Sequence, residues 1–274
     1  NKLAPGRIDF GVGTGFTARR TMGQRAVTLK RTRSYIEMVR AMLDGEIVEW
    51  KSEGALHKIK FLEPELGLIN IADKIPLWFS AFGPKSQRLG AELSAGWLNF
   101  GVANAPGALA KMSSIWQEAG RDPSALESNL FFLGAVLSGD EKADEARLMA
   151  EAGPATSVLF HNLADEVGAM GGANLQAGQL SNVLAEYLRE HENYEPADAR
   201  YLKNHQGHLM YVRPEETHVT PELVKATTLS GKPDELVERL REIQGAGYSQ
   251  VTVQLVHGHE ENALEDWAKV FDKV

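Results

Sequence analysis

A chain of 274 residues with 43% apolar and 24% charged residues has the composition of a globular protein with a large core. It has no cysteine, which excludes disulfides and thiolate metal sites, and its net charge of −8 gives no general attraction to nucleic acid or to anionic membranes. No apolar run approaches the roughly 18 residues that a membrane-spanning helix needs, and a reducing cytoplasm is the expected compartment.

Arg7-Ile8-Asp9-Phe10-Gly11-Val12 alternates like a strand and runs into Gly13-Thr14-Gly15, where the glycines permit a tight turn or close approach of a ligand to the backbone. Residues 28–43 have the periodicity of an amphipathic helix, with Leu29, Ile36, Val39, Met42 and Leu43 on its apolar side. Arg31 and Arg33 lie near its start, where the helix dipole disfavours cations. Such cations point either to an anionic partner or to pairing with Glu37. Gly45 stops this helix, and residues 47–50 and 56–59 read as a small hairpin outside the main core.

Residues 76–92 form the stretch around which the rest is organised. Leu77-Trp78-Phe79 is a buried strand by length and composition, Gly83-Pro84-Lys85-Ser86 is a turn, and Leu89 and Leu93 mark one face of a helix. Strand, glycine turn and helix in that order point backbone N–H groups at an anion. Lys85 adds a charge, and the Ser86 hydroxyl suits both a helix cap and a phosphate ligand. An ordinary strand-to-helix turn accounts for the same residues.

Further on, residues 97–101 read as a strand, 106–118 as a helix, 130–137 as a long apolar strand, and 141–152 as a helix with Ala143, Ala146 and Met149 inward. Residues 155–211 break the rhythm. They are mostly helical in pattern, are interrupted by Gly168, Gly171, Gly172 and Gly178, and contain His205-Gln206-Gly207-His208. An insertion of this length on a repeating scaffold is expected to shape a site, here as a lid hinged at Gly168, Gly171 and Gly172. A helix over 234–244, a strand over 250–255 and a helix over 262–274, with Leu264, Trp267, Val270 and Phe271 inward, complete the chain. The strands at Ile8, Leu77, Leu98, Phe131 and Val251, each with its helix, make five βα units and imply a parallel sheet. Five units suit either an open doubly wound sheet or the last five of an eight-unit barrel.

Gly6-Arg7-Ile8-Asp9-Phe10-Gly11-Val12-Gly13-Thr14-Gly15-Phe16 with Met22-Gly23, then 76–92, then Thr228-Leu229-Ser230-Gly231-Lys232-Pro233-Asp234-Glu235-Leu236 with 245–254, resemble in order and spacing the fourth strand, the fifth strand with its phosphate loop, and the closing segment of the bacterial-luciferase-like flavin monooxygenases. The resemblance implies an α/β fold, a single TIM (β/α)8 barrel domain over 1–274 with an insertion at about 155–211. The family's first three βα units, roughly 90 residues, have no counterpart here and are expected ahead of Asn1. It further implies an oxidoreductase that uses reduced FMN and dioxygen on a small organic substrate, served by a flavin reductase and assembled as a homo-oligomer. The alternatives are hydride transfer with deazaflavin F420 and a non-catalytic flavin-binding protein. By the same resemblance Gly83, Lys85 and Ser86 are the phosphate loop. Gly13, Thr14 and Gly15 lie where cofactor meets strand end, with Thr14 in place of a phosphate-binding arginine, and Arg33 is a second phosphate-binding arginine. His205 and His208 are the candidate substrate-facing or proton-donating groups, and His161 is a weaker one. A His-x-x-His metal site is the least expected reading, since no carboxylate stands nearby in sequence.

Overall fold

The computed structural model describes residues 1–170 and 180–274, which fall into two compact units: 1–16, 25–99 and 111–128 in the first, and 17–24, 100–110 and 129–274 in the second. In chain order the first elements are β1 (Phe10–Val12), α1 (Phe16–Arg20), α2 (Leu29–Leu43), β2 (Val48–Ser52), β3 (Ala55–Ile59), β4 (Leu77–Ser80), α3 (Pro84–Glu92), β5 (Gly96–Phe100) and α4 (Ala105–Glu118).

Within the first unit β1 pairs in parallel with β4, setting Phe10 opposite Leu77 and Val12 opposite Phe79, and β4 pairs in parallel with β5. Leu77, Trp78 and Phe79 are all buried, as a strand covered on both faces requires. Gly96 is needed beside this strand: a Cβ there would lie 2.7 Å from the Trp78 ring. The Trp97 indole N–H donates to the Ala81 carbonyl (2.9 Å) and fixes the chain just before α3. α2 begins where Thr28 caps it, its side chain accepting from the Arg31 amide, and buries Ile36 completely. β2 and β3 form the expected antiparallel hairpin, which leaves Trp50 and Leu56 exposed.

The second unit holds β6 (Ser128–Phe132), α5 (Glu141–Glu151), α6 (Gly153–Met170), α7 (Leu180–Glu192), α8 (Tyr201–Asn204), α9 (Pro221–Thr227), α10 (Pro233–Gly245), β7 (Gln250–Val253) and α11 (Glu260–Phe271). β6 and β7 are parallel neighbours, with Asn129 opposite Gln250 and Phe132 opposite Val253. The single strand expected over 130–137 is two pieces. Past Phe132 the chain stays extended but bonds to a different segment: the Gly231 amide donates to the Ala135 carbonyl (3.1 Å) and the Leu137 amide to the Gly231 carbonyl (2.9 Å). Gly134 permits the exchange, because a Cβ there would sit 2.0 Å from the Leu229 carbonyl oxygen.

Two inward faces differ from expectation. On α5, Ala143 and Ala146 are exposed, and Asp144, Leu148 and Glu151 point inward. The Asp144 carboxylate accepts from the amides of Ser138 and Gly139 (both 2.7 Å) and so closes the turn that precedes the helix. On α11, Ala263, Trp267 and Val270 are buried, whereas Leu264 is 61% exposed and Phe271 lies at the margin.

Where it is described, the 155–211 segment is packed, which corrects the lid reading for those residues. Phe160 and Ala164 of α6 bury against Leu184 and Tyr187 of α7, and α6 also packs on α5 and α9. A lid is drawn from segments with few buried apolar contacts, and these are core residues. Of the proposed hinges, Gly168 lies within α6, and Gly171 and Gly172 lie outside the described residues. Among the described residues no helix is long and apolar enough to cross a membrane.

Candidate functional site

The first unit carries a groove of about 440 Å³ between the start of α2 and the length of α3, lined by Lys30, Arg33, Lys85, Arg88 and Glu92 with Leu29, Pro84 and Leu89 as its apolar floor. α3 opens with Gly83 as N-cap and Pro84 in its first turn. Proline has no N–H to leave unsatisfied there, and the amides of Lys85 and Ser86 are first-turn donors beyond the reach of intrahelical acceptors. The positive end of the helix dipole and the Lys85 ammonium therefore fall at one end of the groove.

The other end is occupied by a carboxylate. Glu92 pairs with Arg88 (2.9 Å) and with Arg33, and Arg33 also lies 3.6 Å from Glu37. The hydrogen bonds from Arg88 and then Arg33 hold the Glu92 carboxyl below its usual range. Arg33, expected to hold a phosphate, is thus engaged by two carboxylates, Glu92 and Glu37. Lys30 and Lys85 are the lining cations without an ion-pair partner among the described residues. Ser86 turns its hydroxyl back onto the Gly83 carbonyl (2.8 Å), and a Cβ at Gly83 would meet only that hydroxyl oxygen, at 3.9 Å. Gly83 therefore leaves open space at the helix start.

Gly13, Thr14 and Gly15 follow β1 and do not line this groove. Gly13 lies beside Ser80, the last residue of β4: a Cβ at this glycine would stand 3.6 Å from the Ser80 Cβ. Gly15 has φ +71°, a conformation that favours glycine, and the Thr14 carbonyl accepts from the Val27 amide (2.9 Å), which draws the start of α2 toward the strand end.

The second unit carries a buried polar cluster that joins α6, α8 and the loops around it. His205 Nε2 lies 2.8 Å from Asp165 Oδ2, and His205 Nδ1 lies 3.5 Å from His208 Nδ1. Asp165 is held from two further sides, by Asn204 (3.0 Å) and Arg20 (3.3 Å). Asn204 in turn accepts from the Tyr187 hydroxyl (2.6 Å) and donates to the His161 carbonyl (3.2 Å). His161 Nε2 lies 2.5 Å from Glu216 Oε1, and Arg213 donates to the same oxygen (2.9 Å) and to the Tyr194 hydroxyl (2.9 Å). His161 and Glu216 are each almost fully buried, while His208 is half-buried.

Burial acts on His208, His161 and Glu216. It lowers the His208 pKa to about 4, helped by the neighbouring His205 and His161, and it lowers that of His161 against the opposing pull of Glu216. For Glu216 burial pushes upward, but hydrogen bonds from His161 and Arg213 outweigh it and hold the carboxyl down at about 2. At neutral pH the cluster therefore contains neutral imidazoles at His161 and His208 beside an ionised Glu216. Such imidazoles can accept or donate one hydrogen bond each, or ligate a metal.

The sequence singled out His205 and His208 but set His161 below them and passed over Asp165, Arg213 and Glu216. One signal was present: His161 and Asp165 stand four apart on a helix and share a face. The argument that no carboxylate stands near His205 and His208 is corrected, because folding brings Asp165 from forty residues away.

Comparison with known proteins places these features in a family context. The model of the family described as luciferase-like monooxygenase matches residues 1–250. The 5,10-methylenetetrahydromethanopterin reductase of Archaeoglobus fulgidus is 27% identical over 272 residues, which is 92% of this chain and 68% of that protein. The coenzyme F420-dependent tetrahydromethanopterin reductase of Methanopyrus kandleri superposes with a TM-score of 0.57 at 18% identity, over 98% of this chain and 74% of that one. The oxygenating constituent of 3,6-diketocamphane monooxygenase from Pseudomonas putida, a type II Baeyer-Villiger enzyme solved with FMN, gives 0.52 at 18% identity, over 96% of this chain and 68% of that one.

Proposed function

This chain belongs to the luciferase-like monooxygenase family, and from that premise we propose that it is an oxidoreductase holding a phosphate-bearing cofactor of the flavin type, with deazaflavin F420 as a hydride carrier the first reading. The five parallel strands are read as part of a barrel of the luciferase-like type. The observation that carries the cofactor reading is the Lys85 end of the groove, where an unpaired ammonium, two first-turn amides and the positive end of α3 converge on open space. These groups fit a phosphate by charge and by donor type, and Glu92 at the opposite end defines the direction in which an anion would not extend.

Lys85 and the amides of Lys85 and Ser86 would hold the phosphate, with Lys30 adding a second positive charge. Gly13 and Gly15 would leave the end of β1 free of side chains against the cofactor's ring system. F420, when bound, supplies two-electron hydride transfer without dioxygen. His208 takes the substrate side in this reading, since its half-buried neutral ring can give or accept a hydrogen bond at a substrate oxygen; His205, fixed by Asp165, orients it. The preference for F420 is supported by the Methanopyrus structure, whose enzyme is F420-dependent, and by the similarity over 92% of this chain to another methanopterin-linked reductase, that of Archaeoglobus. The second reading, reduced FMN with dioxygen, is supported by the family's description and by the FMN-bound monooxygenase structure.

Absorbance titrations of the purified chain with F420 and with FMN separate the two. The first reading expects saturable binding of F420 at lower concentration than FMN. Tighter FMN binding replaces it with the second reading, and binding of neither ends both. His208→Ala is expected to lower turnover with little change in cofactor affinity; an unchanged turnover removes His208 from the substrate side.

A further inference from the structure

Three histidine nitrogens, one each from His161, His205 and His208, lie within 4.8 Å of one another in the second unit. In two of the three residues one ring nitrogen is already committed to a carboxylate: His161 Nε2 to Glu216 at 2.5 Å and His205 Nε2 to Asp165 at 2.8 Å. An ionised carboxylate only accepts, so each imidazole donates its Nε2 proton there and keeps its lone pair on Nδ1, which at His205 faces His208 Nδ1 at 3.5 Å. Metal-ligating histidines are held in this way, with the second nitrogen oriented by a carboxylate. At His161 that lone pair is unused among the described residues: His161 is 1% exposed and its Nδ1 has no hydrogen-bond partner among them. A buried acceptor without a donor is destabilising, and a cation at its lone pair removes that cost.

We propose that His161, His205 and His208 form a site for a transition-metal ion of the zinc class, a site that goes beyond the cofactor reading above and does not depend on it. The spacing is close to what such an ion needs. Two nitrogens at about 2.1 Å from a tetrahedral zinc stand about 3.4 Å apart. The His205 and His208 Nδ1 atoms are separated by 3.5 Å, so closure requires only that the third nitrogen draw in. Three protein ligands leave a fourth position for water or a substrate oxygen. The surroundings also choose the kind of ion. Arg20 neutralises Asp165, and Arg213 neutralises Glu216, so the cavity offers nitrogen lone pairs without surplus negative charge. That donor set suits zinc, cobalt or nickel and gives magnesium or calcium, which need oxygen ligands, nothing to hold.

The test uses the full chain, stripped with a chelator, dialysed against zinc chloride alone and assayed for bound metal and binding heat. The expected result is one zinc per chain with a Kd below about 1 µM. His208→Ala and His161→Ala should each weaken binding more than about 100-fold. Asp165→Asn, which removes only the orienting carboxylate, should weaken it about 10- to 100-fold. The pair His257 and His259, exposed and half-buried respectively, is the control: the double alanine variant should bind as wild type does, and loss of zinc there would overturn the site. Should His161→Ala fail to fold, the half-buried His208→Ala and the cobalt(II) spectrum of the wild type decide. A four-coordinate ligand-field spectrum that disappears in His208→Ala supports the site. Absence of stoichiometric uptake by the wild type, or unchanged affinity in His208→Ala, overturns it.

Discussion

The groove between α2 and α3 and the histidine cluster of the second unit are both polar, and they are built in opposite ways. The groove is open, and its defining groups sit within one turn of a helix start, so one short stretch of sequence determines them. The cluster is closed, and its partners come from Arg20, Asp165, Asn204, Arg213 and Glu216, which only the fold brings together. In the groove the surrounding water weakens each pairing, so the groups stay available to a ligand. In the cluster each group depends on the next, because a buried charge stripped of its partner is costly. Substitution in the first kind of site should cost little stability, and removal of a buried charge partner in the second should cost much.

Breaking a link in each place exposes the difference. The largest effect belongs to Arg213, which binds Glu216, Tyr194 and the Lys203 carbonyl. Arg213→Met leaves a buried carboxylate with His161 as its remaining side-chain partner and should cost roughly 3–5 kcal/mol of stability, read as a lower urea midpoint. A loss below 1 kcal/mol would mean that the cluster is not a cooperative network.

Glu151 should give a smaller effect that depends on pH. Burial, aided by Asp266 and opposed by Arg147, raises its carboxyl to about 7. A carboxyl raised in the folded state binds its proton more tightly there than when unfolded. Its stabilising effect is complete below the unfolded value of 4.5 and is lost as pH rises through about 7. Glu151→Gln, which cannot ionise, should melt close to wild type at pH 5 and above it at pH 8, with a difference of up to roughly 3 kcal/mol. Equal melting shifts at the two pH values would contradict the raised pKa.

The smallest effect belongs to Arg33. It is already paired with Glu92 and Glu37 on the surface, so Arg33→Ala should change stability by at most about 1 kcal/mol. Cofactor affinity should move no more than that. A larger loss of affinity would show that Arg33 leaves its carboxylates when the cofactor binds, and would restore the phosphate role that the sequence suggested.

What the sequence made legible follows the same division. The five strands, the hairpin, the start of α2 at Thr28 and the turn at Gly83-Pro84-Lys85-Ser86 rest on local patterns, and all of them form. Ala143 and Leu264 were misplaced because α5 and α11 present more than one plausible apolar stripe, and tertiary contacts choose between them. The ladder exchange at Gly134 depends on the approach of Leu229 from ninety-five residues away, which no local pattern encodes. The histidine cluster was half legible. His205 and His208 are close in sequence, but the carboxylates that orient His205 and His161 come from other elements.

The most direct test of the central claim is a titration of F420 against wild type and Lys85→Ala, followed by absorbance with Arg33→Ala as the internal comparison. If the α3 end of the groove holds the cofactor phosphate, Lys85→Ala should lose roughly 1–3 kcal/mol of binding free energy, the range for a charge-assisted hydrogen bond. It should melt at the wild-type temperature, because the side chain is exposed, and Arg33→Ala should bind nearly as wild type does. Unchanged affinity in Lys85→Ala, for F420 and for FMN alike, would contradict the claim and move the cofactor away from this groove.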